Sequence, residues 1–223
     1  FLPLLVKAWD TLPDTDARKG LLAEPIAMLR DWDYRWGLTS VPNSLAALWA
    51  EDLRQWTLDH SEGAPRTLYD RMAAASPDVQ LTLLAGVVKR LDRDFGTWRT
   101  PWGDINRLQR LTGAITQDFS DAAPSIAVPF SSARWGSLAS FGARAYPGTR
   151  KWYGTSGNSF IAAVEFGDRV HARAVSVGGE SGDPASPHFN DQSALYAAGA
   201  LRPVYFYPDE LAGHVERRYR PGQ

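Results

Sequence analysis

Two serines stand in short glycine-rich runs that could expose a nucleophilic hydroxyl. Ser181 lies in residues 179–183 (GESGD) and Ser156 lies in residues 154–158 (GTSGN). A nucleophile elbow needs a glycine two residues before and two residues after the serine, at a sharp turn from a strand into a helix. Neither run has the second glycine, and neither follows the strand–turn–helix order closely. Both runs therefore predict glycine turns that expose backbone N–H groups, not a serine nucleophile.

The histidines could supply a base or a metal ligand. They are His60, His171, His188 and His214. His188 and Asp191 are three residues apart, and on a helix this spacing brings two side chains within reach of a shared hydrogen bond or ion. A zinc site needs three or four ligands, and the chain has no HExxH or similar spacing. The prediction for His188 is therefore a capping or packing role.

Three carboxylates near these runs, Glu180, Asp183 and Asp191, could pair as a general acid and a general base. Carboxylates beside glycine turns, however, commonly accept hydrogen bonds from backbone N–H groups. The chain has no cysteine, which excludes disulfides, thiolate metal sites and a cysteine nucleophile. The residues alone therefore predict no catalytic residue and no metal ligand in this chain, and they leave the substrate-binding residues unknown.

Residues 1–117 are predicted to form a helical segment, because apolar residues recur there at a helical spacing. Residues 76–78 (SPD) combine a capping serine, a proline for the first turn and an acid, so they predict a helix start. That helix should end near Gly96. Residues 100–104 (TPWGD) predict a second, shorter helix that continues through Leu111. The apolar stripes before these two helices consist of Leu21, Leu22, Ile26, Met28 and Leu29, and then of Leu45, Leu48, Trp49, Leu53 and Trp56.

Residues 118–223 are predicted to be rich in β-structure. Residues 158–166 and 169–177 are strand-like and are separated only by Gly167 and Asp168, which predicts a hairpin with a type II′ turn. Period-two alternation places Phe160, Ala162, Val164 and Phe166 on one face of that hairpin.

The last part of the chain carries weaker signals. Residues 186–188 (SPH) predict a helix that ends at Gly199. Residues 204–207 predict a short strand, and residues 208–212 predict one turn of helix. The fold class predicted for the whole chain is α+β, with a helical segment at residues 1–117 followed by a β-rich segment at residues 118–223.

The composition restricts the kinds of partner that the chain could bind. The 223 residues include 24 Lys plus Arg and 25 Asp plus Glu, so the net charge is −1. The sequence has no basic patch of the kind that binds nucleic acid, so we expect no nucleic-acid partner. No apolar run approaches the roughly 18 residues that a membrane span needs. The nine Trp, eight Tyr and nine Phe are typical of core and interface packing. They could also form a stacking platform for a flat ligand.

Five segments, taken in order, resemble parts of the β chain in the penicillin acylase family: the first resembles a segment that precedes the C-terminal end of that chain, and the other four resemble the C-terminal end itself. They are residues 102–107 (WGDINR), 153–160 (YGTSGNSF), 178–192 (GGESGDPASPHFNDQ), 204–211 (VYFYPDEL) and 214–222 (HVERRYRPG). The resemblance is good over roughly residues 100–223 and faint before them. That family includes acylases of β-lactam side chains and of N-acyl-homoserine lactones.

The resemblance implies an N-terminal-nucleophile amidohydrolase that its own chemistry cuts from a precursor. In the family the freed first residue of the β chain, usually Ser, is the nucleophile and its own α-amine is the base. Backbone and Asn donors form the oxyanion hole. These groups, and calcium ligands where they exist, lie upstream of the segments matched here. The resemblance therefore assigns no catalytic residue and no cofactor to this chain, and leaves calcium possible elsewhere in the assembled enzyme.

The same resemblance implies a four-layer αββα sandwich, to which the hairpin of residues 158–177 would contribute inner strands. It implies other chains of the same precursor as partners, a small-molecule amide as substrate, and a periplasmic or secreted location. Phe1 cannot be the nucleophile, so we expect either a third chain from further processing or removal of upstream parts. The rival hypothesis is an aromatic-rich carbohydrate-binding module without catalysis, with Trp135, Trp152 and Tyr153 lining a glycan groove.

Overall fold

The first half of the chain folds into helices that precede the first strand. The computed structural model describes residues 1–60, 67–220 and 222. In chain order these helices are α1 (Leu2–Asp10), α2 (Ala17–Leu21), α3 (Ala23–Arg30), α4 (Val41–Asp59), α5 (Leu68–Ala73), α6 (Pro77–Phe95) and α7 (Trp102–Ile105). The predicted apolar stripes fall in α2 to α4, where Ile26, Leu29, Leu45 and Leu53 are buried. The stripes therefore form core, as expected.

Helix α6 has the two ends that its local sequence predicts. The Ser76 hydroxyl accepts a hydrogen bond from the Val79 N–H at 3.3 Å. Gly96 ends the helix with a φ of 82°, a conformation that strains residues with a Cβ and therefore suits glycine. The predicted apolar face is buried along its whole length, at Leu81, Leu84, Val88 and Leu91.

Buried aromatic residues join the helices to one another. The Trp49 side chain in α4 is 1% exposed, and its indole Nε1 donates a hydrogen bond of 3.0 Å to the Gln80 carbonyl in α6. This contact buries a large apolar ring while its one polar atom stays paired. Helices α4 and α6 are thereby fixed side by side.

The helix predicted from residue 100 through Leu111 is much shorter than expected. Helix α7 ends at Ile105, and strand β1 (Asn106–Leu108) follows at once. Pairing with two other strands therefore overrides the helical pattern after Ile105. The structure thus places a strand inside the segment predicted to be helical, and the predicted division at residue 117 stays a prediction.

Strand β1 belongs to a first sheet with the order β2-β1-β4-β3. The other strands are β2 (Ile126–Ala127), β3 (Phe141–Ala145) and β4 (Trp152–Gly157), and a 3₁₀ turn (Ala133–Trp135) lies between β2 and β3. Strands β1 and β4 are parallel, whereas the pairs β1–β2 and β3–β4 are antiparallel. Within the described residues β2 and β3 are the edges of this sheet.

The second sheet contains the predicted hairpin, with the order β5-β6-β7. Its strands are β5 (Phe160–Glu165), β6 (His171–Ser176) and β7 (Arg202–Val204). The predicted type II′ turn is wrong, because the last pair is Glu165 with His171 and Gly167 does not have the positive φ that this turn needs. The Val170 N–H instead donates to the Tyr207 hydroxyl at 2.9 Å, which holds a wider loop against the tail.

One face of the second sheet is apolar and is exposed along β5. Phe160, Ala162 and Val164 share this face as predicted, since they pair with Ser176, Ala174 and Ala172 across the hairpin. Phe160 is 60% exposed and Val164 is 47% exposed. Ala174 on the same face is 1% exposed, so the described residues cover the middle of this face and leave its β5 side in contact with solvent. Phe166 lies beyond the end of β5, so the structure does not place it on this face.

The remaining predicted elements are displaced. Only α8 (Ser193–Ala197) forms within the predicted helix of residues 186–199, because the preceding residues close a loop: the Ser181 N–H donates to the His188 carbonyl and the Gln192 N–H donates to the Gly178 carbonyl. The strand predicted at residues 204–207 is replaced by β7 at Arg202–Val204, so the two have only Val204 in common. Residues 208–212 form hydrogen-bonded turns and not a helical turn.

A second, smaller core joins the two sheets to α8. It contains Val128, Phe141, Val175, Tyr196 and Ala197. The α+β fold class is therefore as predicted. No described helix combines the length and the apolar character needed to cross a membrane.

Two glycines of α6 give opposite predictions for the same substitution. Gly96→Ala should destabilise the protein by about 1 kcal/mol, because alanine is strained at positive φ. Gly86→Ala should stabilise it by about 0.5–1 kcal/mol, because Gly86 lies in an exposed helical position and an added Cβ meets nothing within 4 Å. Melting temperatures of the assembled protein should shift in opposite directions. A shift of the same sign for both variants would contradict the assignment of the helix end.

Candidate functional site

The most highly organised loop consists of residues 178–192, here called the 178–192 loop, and Arg110 holds it. The Arg110 guanidinium donates to the Phe189 carbonyl at 2.5 Å and to the Ser181 carbonyl at 2.9 Å. It also lies 4.0 Å from the centre of the Phe189 ring. The Asn190 side chain returns a hydrogen bond of 2.9 Å to the Arg110 carbonyl. One side chain therefore fixes both arms of the loop.

The glycines at the start of this loop permit close approaches. A Cβ on Gly178 would lie 2.7 Å from an Arg110 guanidinium nitrogen. A Cβ on Gly179 would overlap the His188 carbonyl and lie 2.5 Å from the Asp191 carboxylate. The loop therefore requires glycine at position 179, whereas glycine at position 178 leaves room for the Arg110 guanidinium.

Ser181 lies in this loop without the partners of a nucleophile. Its Oγ accepts a hydrogen bond of 3.1 Å from the Asp183 N–H, which is a turn contact. In the described residues no imidazole is hydrogen-bonded to this hydroxyl, and both ring nitrogens of His188 face carboxylates instead. The interpretation of residues 179–183 as a backbone turn therefore agrees with the geometry.

Ser156 lies in a strand, so the turn predicted for residues 154–158 is wrong. Residues 152–157 form β4, and the Thr155 hydroxyl donates to the Gly142 carbonyl at 3.1 Å in the neighbouring strand. The pairing of β4 with β1 and β3 overrides the local glycine signal. In the described residues the Ser156 hydroxyl has no histidine partner either.

The three carboxylates are used in three different ways. Asp183 accepts a hydrogen bond from the Ala185 N–H at 2.9 Å, as expected beside a glycine turn. Glu180 accepts from the Ser176 hydroxyl at 2.8 Å and from the Gln192 amide at 3.0 Å. These hydrogen bonds, Ser176 first, hold the pKa of Glu180 below its usual range. Glu180 therefore stays ionised and is unsuited to act as a general acid.

His188 lies between two carboxylates. Its Nδ1 is 2.8 Å from Asp191 and its Nε2 is 3.3 Å from Glu216 in the C-terminal tail. The predicted pairing with Asp191 therefore occurs, although in a turn and not on one helix. The hydrogen bond to Asp191, and then the charge of Glu216, raise the pKa of His188. Among the described residues no group of three or more His, Cys, Asp or Glu side chains could hold a metal ion.

The sequence analysis does not predict the structural role of residues 102–107, which is to connect two segments of the chain. The Asn106 amide donates two hydrogen bonds of 2.8 Å, to the Val128 and Phe130 carbonyls. The Arg107 guanidinium donates to the Gly103 carbonyl at 2.8 Å and to the Ser125 carbonyl at 2.6 Å. These hydrogen bonds therefore hold the end of the helical segment against the segment that contains β2. The sequence feature that could have indicated this role is a polar Asn directly after a helical turn of apolar residues.

The aromatic residues of the rival hypothesis do not form one groove. Trp135 and Trp152 line the same cavity. Tyr153 is fully buried elsewhere, stacked on Phe119 with ring centroids 5.0 Å apart, and its hydroxyl donates to Asp121 at 2.9 Å. Burial, and then the Asp121 carboxylate, raise the pKa of Tyr153. The assignment of Tyr153 to a glycan groove is therefore wrong.

The fold and the candidate site together define a structural class. The chain is an α+β chain with a helical layer and two sheets that have open edges, and its candidate serines lack a base among the described residues. A model of the penicillin amidase family matches residues 1–213. The chain belongs to the penicillin amidase family. The match includes the helical segment, where the sequence motifs give only a faint resemblance.

Comparison with known proteins adds two findings. No curated protein sequence matches the chain. Among solved structures, a thermostable penicillin G acylase from Alcaligenes faecalis is similar, with a TM-score of 0.45 and 15% identity, over 99% of this chain and 45% of that chain. The chain therefore spans less than half the length of that acylase chain.

If Ser181 has only a structural role, its hydroxyl is dispensable for catalysis. Ser181→Ala should leave the turnover of any amide that the assembled protein hydrolyses within about tenfold of that of the unchanged protein, which is about 1.4 kcal/mol in the barrier. Steady-state kinetics on an acylated amine would measure this. A loss of several orders of magnitude, with normal maturation of the precursor, would make Ser181 a catalytic residue.

The contact of His188 with Glu216 should depend on pH. Because the folded-state pKa of His188 is raised, the contact is fully formed below the ordinary histidine pKa of about 6.5 and weakens as pH rises through the raised value. The His214 N–H donates to the Leu211 carbonyl at 3.1 Å. Hydrogen exchange of this amide, corrected for the intrinsic effect of pH, should therefore speed up as pH rises through the raised pKa of His188. His188→Gln should remove this change, and a change that persists in the variant would assign it to another group.

Proposed function

We propose that this chain is the C-terminal part of an N-terminal-nucleophile amidohydrolase whose nucleophile lies on another chain or on an upstream segment. The observation that carries the proposal is the match of the penicillin amidase family to residues 1–213. The reaction is hydrolysis of an amide to an acid and a free amine. It requires no cofactor in this chain.

The proposed mechanism follows from the activated N-terminal residue of the partner segment. Its hydroxyl attacks the amide carbonyl, and its α-amine takes the proton and passes it to the departing amine as the C–N bond breaks, which leaves an acyl-enzyme. A water molecule, deprotonated by the same α-amine, then attacks the ester carbonyl; the acid is released and the hydroxyl regains its proton. Backbone and Asn donors stabilise the tetrahedral intermediates. The described residues of this chain supply scaffold, and the geometry of Ser181, His188 and Glu180 supports that division of roles.

The apolar face of the second sheet supports partner chains from the same precursor. Phe160 and Val164 in β5 are 60% and 47% exposed. Val204 in β7 lies on the same face, because Val164 and Val204 both pair with Ala172. Contiguous apolar surface of this kind marks an interface. The edge strands of both sheets also present unpaired backbone groups. We propose that the remainder of the processed precursor covers this face in an αββα arrangement, in a periplasmic or secreted enzyme.

The substrates proposed are N-acyl-homoserine lactones first and β-lactam side-chain amides second. Both carry a secondary amide between an apolar acyl group and a compact polar ring. An apolar pocket distinguishes such acyl groups weakly, because one methylene is worth only about 1–3 kcal/mol. Activity on both classes is therefore compatible with a single pocket.

The rival, a carbohydrate-binding module without catalysis, predicts a chain that purifies alone. Intact mass measurement and N-terminal sequencing of the native protein separate the two hypotheses. A single 24.6 kDa species would favour the module. Copurifying chains, one with an N-terminal Ser, would favour the acylase.

The assembled enzyme should convert an N-acyl-homoserine lactone into homoserine lactone and the free acid without added metal. Mass spectrometry distinguishes this result from opening of the lactone ring, which gives N-acyl-homoserine. A reaction without enzyme is the control, because the lactone also opens spontaneously in alkaline solution. Finding only the ring-opened product, or strict dependence on added zinc, would contradict the proposed reaction class.

A further inference from the structure

An aromatic-lined cavity lies between helix α4 and the loop that follows helix α3. Its volume is about 330 Å³. A dry apolar cavity of about 150 Å³ can hold benzene, and ligand sites in proteins begin at roughly 300 Å³. The cavity therefore has room for a ligand of one or two rings.

The cavity exists because helix α4 carries small side chains on the side that faces it. Ala46 and Ala50 line the cavity, and residues four apart lie on one face of a helix. Elsewhere in α4, large side chains such as Leu45 and Leu53 are buried and fill the core. The two alanines therefore leave a space that the protein's own core does not fill.

The wall opposite α4 is formed by residues 32–36 (WDYRW). The three aromatic residues of this segment line the cavity. The two charged residues between them, Asp33 and Arg35, are exposed and lie 3.7 Å apart. The segment therefore presents its rings to the cavity and its charges to solvent.

The rings of this wall meet at a right angle. Trp32 and Trp36 have centroids 6.0 Å apart and an angle of 82° between their planes. The Trp32 Nε1 donates to the Arg35 carbonyl at 3.2 Å, which fixes the orientation of the first ring. A planar aromatic ligand in such a corner can stack on one ring and meet the edge of another, and aromatic pairs prefer these two arrangements.

Tyr34 is held at the rim of the cavity by a strained backbone. Its φ of 61° is the one positive value at a non-glycine residue in the part of the chain that the structure describes. This conformation is unfavourable for a residue with a bulky side chain, and such strain is common at ligand-binding positions. The Tyr34 ring is 58% exposed and lies 5.4 Å from the Trp32 ring. Burial in the core therefore does not account for the strain.

The cavity offers no uncompensated charge. Arg134 is the one charged side chain that lines it among the described residues, and its guanidinium donates to Glu51 Oε1 at 2.8 Å. The indole N–H groups of Trp135 and Trp49 are also occupied, by Glu51 and by the Gln80 carbonyl. A charged ligand would lose its hydration here without gaining an ion pair.

We infer that this cavity binds a planar, uncharged aromatic compound of one or two rings. The ligand lies over the two alanines of α4 and packs against Trp32, Tyr34 and Trp36. Its recognition depends on ring contacts and on the absence of charge, and it needs no hydrogen bond. The inference does not rest on the proposed function.

The test uses the protein assembled from its full precursor, with indole as the probe and calorimetry as the readout. We expect saturable binding of one indole per chain. The planar cation 1-methylquinolinium should bind at least about tenfold more weakly, because its charge would be buried without a partner. Cyclooctanol, an uncharged saturated ring, should bind about fivefold more weakly, because it lacks the aromatic contacts.

Two results with the unchanged protein would overturn the inference. Equal or tighter binding of 1-methylquinolinium would make the site a cage for cations. Absence of saturable indole binding would mean that water or another part of the precursor fills the cavity.

Two variants test the location of the site. Tyr34→Gly removes one ring and relieves the positive φ, so it should weaken indole about tenfold while the protein stays folded. The matched control is Tyr219→Gly, which removes a tyrosine ring that is 69% exposed in the tail and should leave the affinity unchanged. Ala50→Phe fills the cavity and should abolish indole binding. Unchanged affinity in Tyr34→Gly, or indole binding that survives in folded Ala50→Phe, would refute the site.

Discussion

The pairing of the Asn106 amide with two carbonyls is the interaction on which the arrangement of the chain depends. Asn106 is the first residue after helix α7, and its side chain binds Val128 and Phe130 on the far side of a long connection. A buried amide left without partners is costly, about 1–3 kcal/mol per group. The two hydrogen bonds therefore hold residues 128–130 against the end of α7, and this places β2 beside β1. The helical layer and the first sheet then share Trp102 as common core.

The sequence predicted those parts of the fold whose signals are local. The ends of α6 follow from Ser76 and Gly96, and the pairing of β5 with β6 follows from two adjacent alternating runs. Two helix predictions are wrong, and for the same reason. The local pattern near Leu111 and in residues 186–192 predicts helix. The observed structure there depends instead on strand pairing and on loop closure by Arg110, which are contacts distant in the sequence.

The candidate site was predictable to a similar extent. The incomplete elbow around Ser181 and the proximity of His188 to Asp191 could be inferred from spacing alone. The uses of Glu180 and Asn106 could not, because their partners, Gln192 and the Val128 carbonyl, become neighbours only in the folded chain. The position of Tyr153 in the core was missed for the same reason. Tyr153 directly precedes the glycine turn predicted at residues 154–158, and nothing in the local sequence indicates that it lies in a buried strand and stacks on Phe119.

The parallel pairing of β1 with β4 has a consequence for the order of folding. Asn106 lies opposite Trp152, so the central pair of the first sheet forms only after the intervening chain, with β2 and β3, has been synthesised. The helical layer also depends on contacts distant in the sequence, because α1 at the start of the chain packs on α6. All residues of α1 to α6 nevertheless precede those of the first sheet. During synthesis the helical layer can therefore assemble first and form the surface on which the sheet closes.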